Sequence, residues 1–577
     1  MNELQSVALE EEPADLVVRG GRVLSPETGQ FRSRDVAVVN NRVAALPESA
    51  EAVTGPETEV INADDHAVVP GFVDAHTHLD LLQSYETVYH RSLEGGTTAV
   101  VTECSAFGAF GAAGVEELLA ATAYLPVTVR VTIPPTPLFD TFEPPRAAGE
   151  EADRLVELLD DDRVVGVGES GWIHAVGHDT PAEALYDRAR DLGKPVTGHG
   201  AGCRGAKLAA FASIVDNDHE AISADGVVDR AENGIHVVGR YGSVRDDVDA
   251  LAEAYDRIGD LDCSLSTDGM WPRDIVREGH MDAVVRRAIE AGIEPADAIR
   301  MVTFEPARQF GLADRGSLAP GNVADVVLLS DVEDVTVRTV ISGGEVVVRN
   351  GSATVGPRHR EYPDRFYDAA EVRTDPERFV VPDSEGPVRA IRYEGGLLSS
   401  ETTVEPPRDD GGLRADPERD VLKAALLDRH PDASAGANED GFTGFLVGFG
   451  LGGGAAATSL TWERAGVLVV GTEEGAMARA AERVRELGGG WVVVDGGGEV
   501  TAELPLRIGA TCSDLDVEET ATLLGAVERA LRARGADVDR PLLALQTLSF
   551  TGVPTLKLSF SGYADVLNRK LVGLDPG

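Results

Sequence analysis

Pro70-Gly71-Phe72-Val73-Asp74-Ala75-His76-Thr77-His78-Leu79-Asp80 is the stretch from which the rest of the chain is read. The apolar run Ala67-Val68-Val69 leads into it as the approach to a buried strand. His76 and His78 are two apart, so in an extended chain both imidazoles face the same side. Two imidazoles together at a strand end make half of a metal site. A bare His-x-His also arises by accident, and the remainder of the chain has to decide.

Downstream, short apolar runs alternate with helical patterns. Eight strands are predicted: Val73–His76, Ala99–Glu103, Val127–Ile133, Val164–Glu169, Val196–His199, Ser213–His219, Ile235–Arg240 and Cys263–Asp268. Helices are expected between them, as at Val115–Ala123 and Asp247–Ile258. Eight strand–helix alternations predict an α/β fold, a (β/α)8 TIM-like barrel over 67–320, with its chemistry at the C-terminal ends of the strands. Residues 15–66 and 324–348 carry short β-like runs on either side of it. They predict one small composite β-sandwich domain assembled from 1–66 and 321–355. Residues 356–375 read as a linker, and 376–577 as an α+β C-terminal domain. The glycine cluster Gly448–Gly454 precedes no Lys-Ser/Thr pair, which excludes a P-loop.

Composition narrows the function classes. The 577 residues carry a net charge of −46, and only 5 of the basic residues are lysine: Lys194, Lys207, Lys423, Lys557 and Lys570. So acidic a surface argues against nucleic acid as a partner. No apolar run is long enough to span a membrane, and the acidic N-terminus lacks a signal pattern, so a cytoplasmic protein is expected. A homo-oligomer is compatible with the sequence. Cys104, Cys203, Cys263 and Cys512 form no Cys-x-x-Cys, so neither a disulfide nor a cysteine zinc site is expected. The acidic, lysine-poor composition resembles that of halophilic archaea.

Metal-ligand types recur at the predicted strand ends: His76 and His78 on the first, Glu169 on the fourth, His199 on the fifth, His219 on the sixth and Asp268 on the eighth. Six imidazole and carboxylate ligands suit two divalent ions, with Glu169 bridging them through its two oxygens. A water shared by such ions ionises near neutral pH and becomes a nucleophile. Asp268 can take its proton and return it to a leaving nitrogen. Hydrolysis of a C–N bond is the predicted chemistry, with Asp268 and Glu169 as its central groups.

This arrangement, with the closing phrase Gly316-Ser317-Leu318-Ala319-Pro320-Gly321-Asn322-Val323-Ala324-Asp325, resembles the amidohydrolase superfamily. Strand four ends in Gly168-Glu169 and no lysine is placed to bridge the metals, which sets the chain apart from the superfamily members that use a carbamylated lysine. Gly198-His199-Gly200-Ala201-Gly202, Asp218-His219-Glu220, Arg240-Tyr241-Gly242-Ser243, Ser266-Thr267-Asp268 and Glu278-Gly279-His280-Met281-Asp282 look like motifs of the adenine deaminase family. The likeness continues through Gly444–Gly450, Glu486–Gly490, Leu504–Leu506 and Leu548–Phe550. The resemblance implies hydrolytic conversion of adenine to hypoxanthine and ammonia by a metal-bridging hydroxide. It implies a binuclear centre of Mn²⁺, with Fe²⁺ or Zn²⁺ as alternatives. It also puts Glu103, Arg240 and His280 beside the substrate. His174, His178 and His236 read as structural or exposed. Three places depart from the family pattern: Glu103-Cys104-Ser105-Ala106 after strand two, Gly269 where a second aspartate is usual, and Thr461-Trp462-Glu463-Arg464 in place of a His-Asp-Ser-His-like motif. Another cyclic amide or amino-heterocycle therefore remains open as the substrate, and a non-catalytic binding protein is the third reading.

Overall fold

The computed structural model describes residues 2–177, 180–259, 262–409, 411–429, 441–462 and 465–576. His178, Glu463 and Arg464, named above, lie outside the described residues.

Eight parallel strands form the central sheet: β1 Phe72–Thr77, β2 Thr97–Thr102, β3 Thr128–Ile133, β4 Val164–Gly171, β5 Val196–His199, β6 Asn217–Asp218, β7 His236–Arg240 and β8 Cys263–Ser266. They pair in sequence order from β1 to β8. The Asp268 amide donates to the His76 carbonyl at 3.1 Å, which brings the end of β8 back beside β1 and all but closes a TIM-like barrel. Helices such as Gly111–Thr122, Glu183–Leu192 and Val248–Ile258 lie between the strands in sequence. Strand six is shorter than expected. Ile214 and Val215 both donate to the Phe211 carbonyl, so residues 212–215 finish the preceding helix instead of starting the strand.

The flanking segments hydrogen-bond into one continuous nine-stranded sheet. Ala67–Pro70 belongs to that sheet and not to the barrel: it pairs parallel with Leu16–Ser25 and antiparallel with Val326–Leu329, Pro70 facing Val326. The barrel therefore begins at Phe72, and Gly71 is the junction. A Cβ there would sit 2.1 Å from Thr98 Oγ1 and 2.9 Å from Asp325 Cβ, so only glycine lets the chain pass between sheet and barrel.

Residues 376–576 build a second mixed sheet of eight strands, from Val388–Gly395 to Val500–Pro505. The helix Glu474–Glu486 buries Ala476, Met477, Ala480, Ala481 and Val484, the three- and four-residue spacing of a face packed on a sheet. Two features tie this region to the barrel. Cys512–Ser513 pairs parallel with Leu82–Gln83 beyond β1. The stretch 356–375, expected as a linker, is a packed strap. Arg358 N donates to Glu86 O at 2.7 Å, Tyr362 Oη donates to Glu86 Oε1 at 2.6 Å, and Phe366 is buried 4.5 Å from Phe110. Its aromatic residues, spaced among prolines and charges, do not show in a linker-like composition.

Candidate metal centre and its cavity

The six ligand candidates converge at the C-terminal mouth of the barrel. His76 Nε2 and His78 Nε2 each lie 3.4 Å from Asp268 Oδ1, and His78 Nε2 lies 3.5 Å from Glu169 Oε2. On the other side, His219 Nε2 lies 3.4 Å from Glu169 Oε1, which also meets His199 Nδ1. The two oxygens of one carboxylate thus face two different histidine pairs. Three overlapping groups, His76–His78–Glu169, His76–His219–Asp268 and Glu169–His199–His219, each gather their donor atoms closely enough for one ion. The buried nitrogens His76 Nε2 and His78 Nε2 have no hydrogen-bond partner in the protein. Unpartnered buried imidazole nitrogens around paired carboxylates fit divalent metal.

Electrostatics agree. Burial alone would raise the Glu169 carboxyl, but the charge and hydrogen bonds of His199, with the hydrogen bond of His219, hold it well below the usual range. Asp268 is likewise held ionised against burial by the imidazoles of His76 and His78 beside it and by the charge of Arg240. Burial opposes charge on His199 and is outweighed by Glu169 and Glu220, which push it up to about 9. A field that draws protons onto buried imidazoles is one a cation satisfies.

The groups behind the cluster explain its geometry. Glu103 Oε1 lies 3.0 Å from His76 Nδ1, and its Oε2 accepts from the Glu169 amide at 2.6 Å. The hydroxyl of Ser105 is 2.6 Å from His78 Nδ1, leaving Nε2 to point inward. Arg240 spends its guanidinium on Glu220, on Asp247 and, at 3.2 Å, on Asp268 Oδ2. Asp268 itself sits at φ 51°, a left-handed conformation costly for a residue other than glycine and sustained here by the contacts around it. At Gly269 φ is 90° and a Cβ would lie 3.3 Å from His78 Cβ; an aspartate at this position would be strained.

A cavity opens over the cluster, lined by His78, Glu103, Glu169 and His199 from the barrel and by Arg429, Trp462 and Phe550 from the C-terminal region. Phe550 packs edge-on 5.4 Å from the His199 ring and 4.9 Å from Trp462, whose plane is tilted 46° to its own, giving an angled aromatic wall.

Residues 67–347 match the amidohydrolase family, and residues 397–570 match the adenine deaminase C-terminal domain. An adenine deaminase of Methanothrix thermoacetophila is 31% identical over 98% of both chains. One of Moorella thermoacetica is 33% identical over 100% of this chain and 98% of its own. The chain belongs to the adenine deaminase family. Among solved structures, an adenosine deaminase from Xanthomonas campestris with bound zinc aligns with TM-score 0.46 and 18% identity, over 59% of this chain and 94% of that one.

Within this adenine deaminase family chain, two of the three expected substrate contacts lie elsewhere. Arg240 is buried among carboxylates and acts on Asp268 instead of facing the cavity. His280 is fully buried, 2.8 Å from Thr97 Oγ1 and 3.6 Å from Asp74 Oδ2, because it stands just before the helix Met281–Glu290 and packs against the start of β2. Glu103 does line the cavity, from behind His76. His174 stacks on Phe139 at 4.4 Å, and His236 bonds Ser264 Oγ at 2.8 Å. Ser105, Glu220, Arg429 and Phe550 were not marked as site residues by the sequence reading. Ser105 and Glu220 flank recognisable strand ends and Phe550 closes the family-like phrase Leu548–Phe550, whereas Arg429 carries no local signal.

Proposed function

We propose that this protein is a metal-dependent adenine deaminase that converts adenine and water to hypoxanthine and ammonia. The observation that carries the reading is Glu169, whose two oxygens face separate histidine pairs beneath an aromatic-walled cavity in a chain of this family. His76, His78, Glu169 and Asp268 would hold one divalent cation and Glu169, His199 and His219 a second, Mn²⁺ being the first choice and Fe²⁺ or Zn²⁺ the alternatives. Such a pair of cations supplies Lewis acidity that brings a water's pKa close to neutral.

The chain's own groups do the rest. Asp268, held ionised, accepts a proton from the attacking water at Oδ1 and delivers it to the departing amino nitrogen of the purine. Arg240 fixes Oδ2 so that Oδ1 stays turned to the cluster. Trp462 and Phe550 offer a planar ring an apolar aromatic surface on the cavity lining. The protein is read as cytoplasmic, and its charge suits high salt; among the described residues no helix is long and apolar enough to cross a membrane.

The deciding experiment is ammonia and hypoxanthine release from adenine by Mn²⁺-loaded protein at high salt, beside a panel of amino-heterocycles and cyclic amides. Release from adenine supports the reading. Silence on adenine with turnover of another ring overturns it.

A further inference from the structure

Arg429 is 1% exposed and lines the cavity over the metal centre. Its Nη1 donates to the carbonyls of Ala369 and Gly509, both at 2.9 Å, which fixes the plane of the guanidinium. Its Nε has no partner, and no carboxylate pairs with it among the described residues. Its neighbour on the same wall, Arg146, is neutralised by Asp428. A buried guanidinium without an anion costs several kcal/mol unless something else meets it, and burial pushes this one down to about 9. The cavity lining thus includes a fixed, planar donor with an unpartnered Nε, on the same cavity as Trp462 and Phe550.

We propose that Arg429 is a specificity-determining residue, donating to a hydrogen-bond-acceptor edge of the substrate ring while the ring's amino group faces the metal centre. This rests on the adenine reading: in a purine oriented that way, the acceptors available to it are ring nitrogens away from the reacting carbon. A planar fork held by two carbonyls selects rings that present an acceptor there and rejects those presenting carbon.

The test uses the metal-loaded full chain. Adenine, 3-deazaadenine and 7-deazaadenine are compared on wild type, Arg429→Met and Arg429→Lys, by KM and kcat and by calorimetric binding. Arg429→Met is expected to raise KM for adenine 10- to 100-fold with a smaller change in kcat, Arg429→Lys to recover part of it, and one deaza analogue to lose its penalty only in Arg429→Met. Unchanged KM and binding in Arg429→Met, or equal penalties for both analogues in all three proteins, overturns the assignment; a lowered melting temperature with KM intact means that Arg429 only braces Ala369 and Gly509. If wild type leaves adenine untouched, the adenine reading fails separately, and Arg429 is judged by the same wild-type-to-Met comparison on the panel ring that is turned over.

Discussion

Asp268 carries the sharpest residue-scale expectation. Asp268→Asn keeps an oxygen for a metal but cannot take up a proton, so bound metal should survive while kcat falls about 100- to 10,000-fold. Metal analysis beside initial rates checks it, and undiminished turnover would remove Asp268 from the proton path. Arg240→Met leaves the ligands in place and frees Asp268 Oδ2, so kcat should drop about 10- to 100-fold with metal affinity weakened. His280 gives a pH signature. Burial holds it down to about 3, against about 6.5 for an exposed imidazole. A depressed folded pKa contributes stability that is complete above 6.5 and is lost as pH falls from there through 3. Denaturant titrations across that window should show wild type losing about 2–4 kcal/mol more than His280→Gln, with neighbouring Asp74 common to both.

Elements decide what sequence pattern could reach. The convergence of the six candidates could be anticipated because each lies at or beside the end of a short apolar strand, where the period of two and the strand end together aim a side chain toward the barrel mouth. Strand six was misjudged at its start because Ser213-Ile214-Val215 has strand-like composition while the helix before it claims those amides. The segments holding Trp462 and Phe550 stood out in the sequence, but their contacts did not: Trp462 meets His78 at 6.1 Å and Phe550 meets His199 only through the docking of distant elements. The strap at 356–375 makes the same point, its role visible only once Tyr362 reaches Glu86 on the helix Tyr85–Glu94. Tyr362→Phe should leave a buried Glu86 carboxyl short of a donor and cost about 1–3 kcal/mol in unfolding experiments, with kcat unaffected.

For the whole molecule, charge is the dominant quantity. A net charge of −46 repels itself across a folded surface, and salt screens that repulsion. The melting temperature should therefore climb steadily between 0.1 M and 2 M KCl, whereas an invariant midpoint would mean the carboxylates are already compensated by local arginine pairs. The barrel and the region after 376 behave as one body in this respect, since Cys512–Ser513 and the strap both bridge them.

Every metal-ligand candidate comes from the barrel, whereas the aromatic wall and the unpaired guanidinium come from beyond residue 428. Reactivity and recognition are thus assigned to separate stretches of chain that meet along the Leu82–Cys512 seam, in the packing of the helix Pro272–Glu278 on Val517–Ala533, and through ion pairs such as Arg273–Glu528. Exchange of the C-terminal half between relatives, with all of those contacts preserved, would hand a different appetite to an unchanged reaction centre.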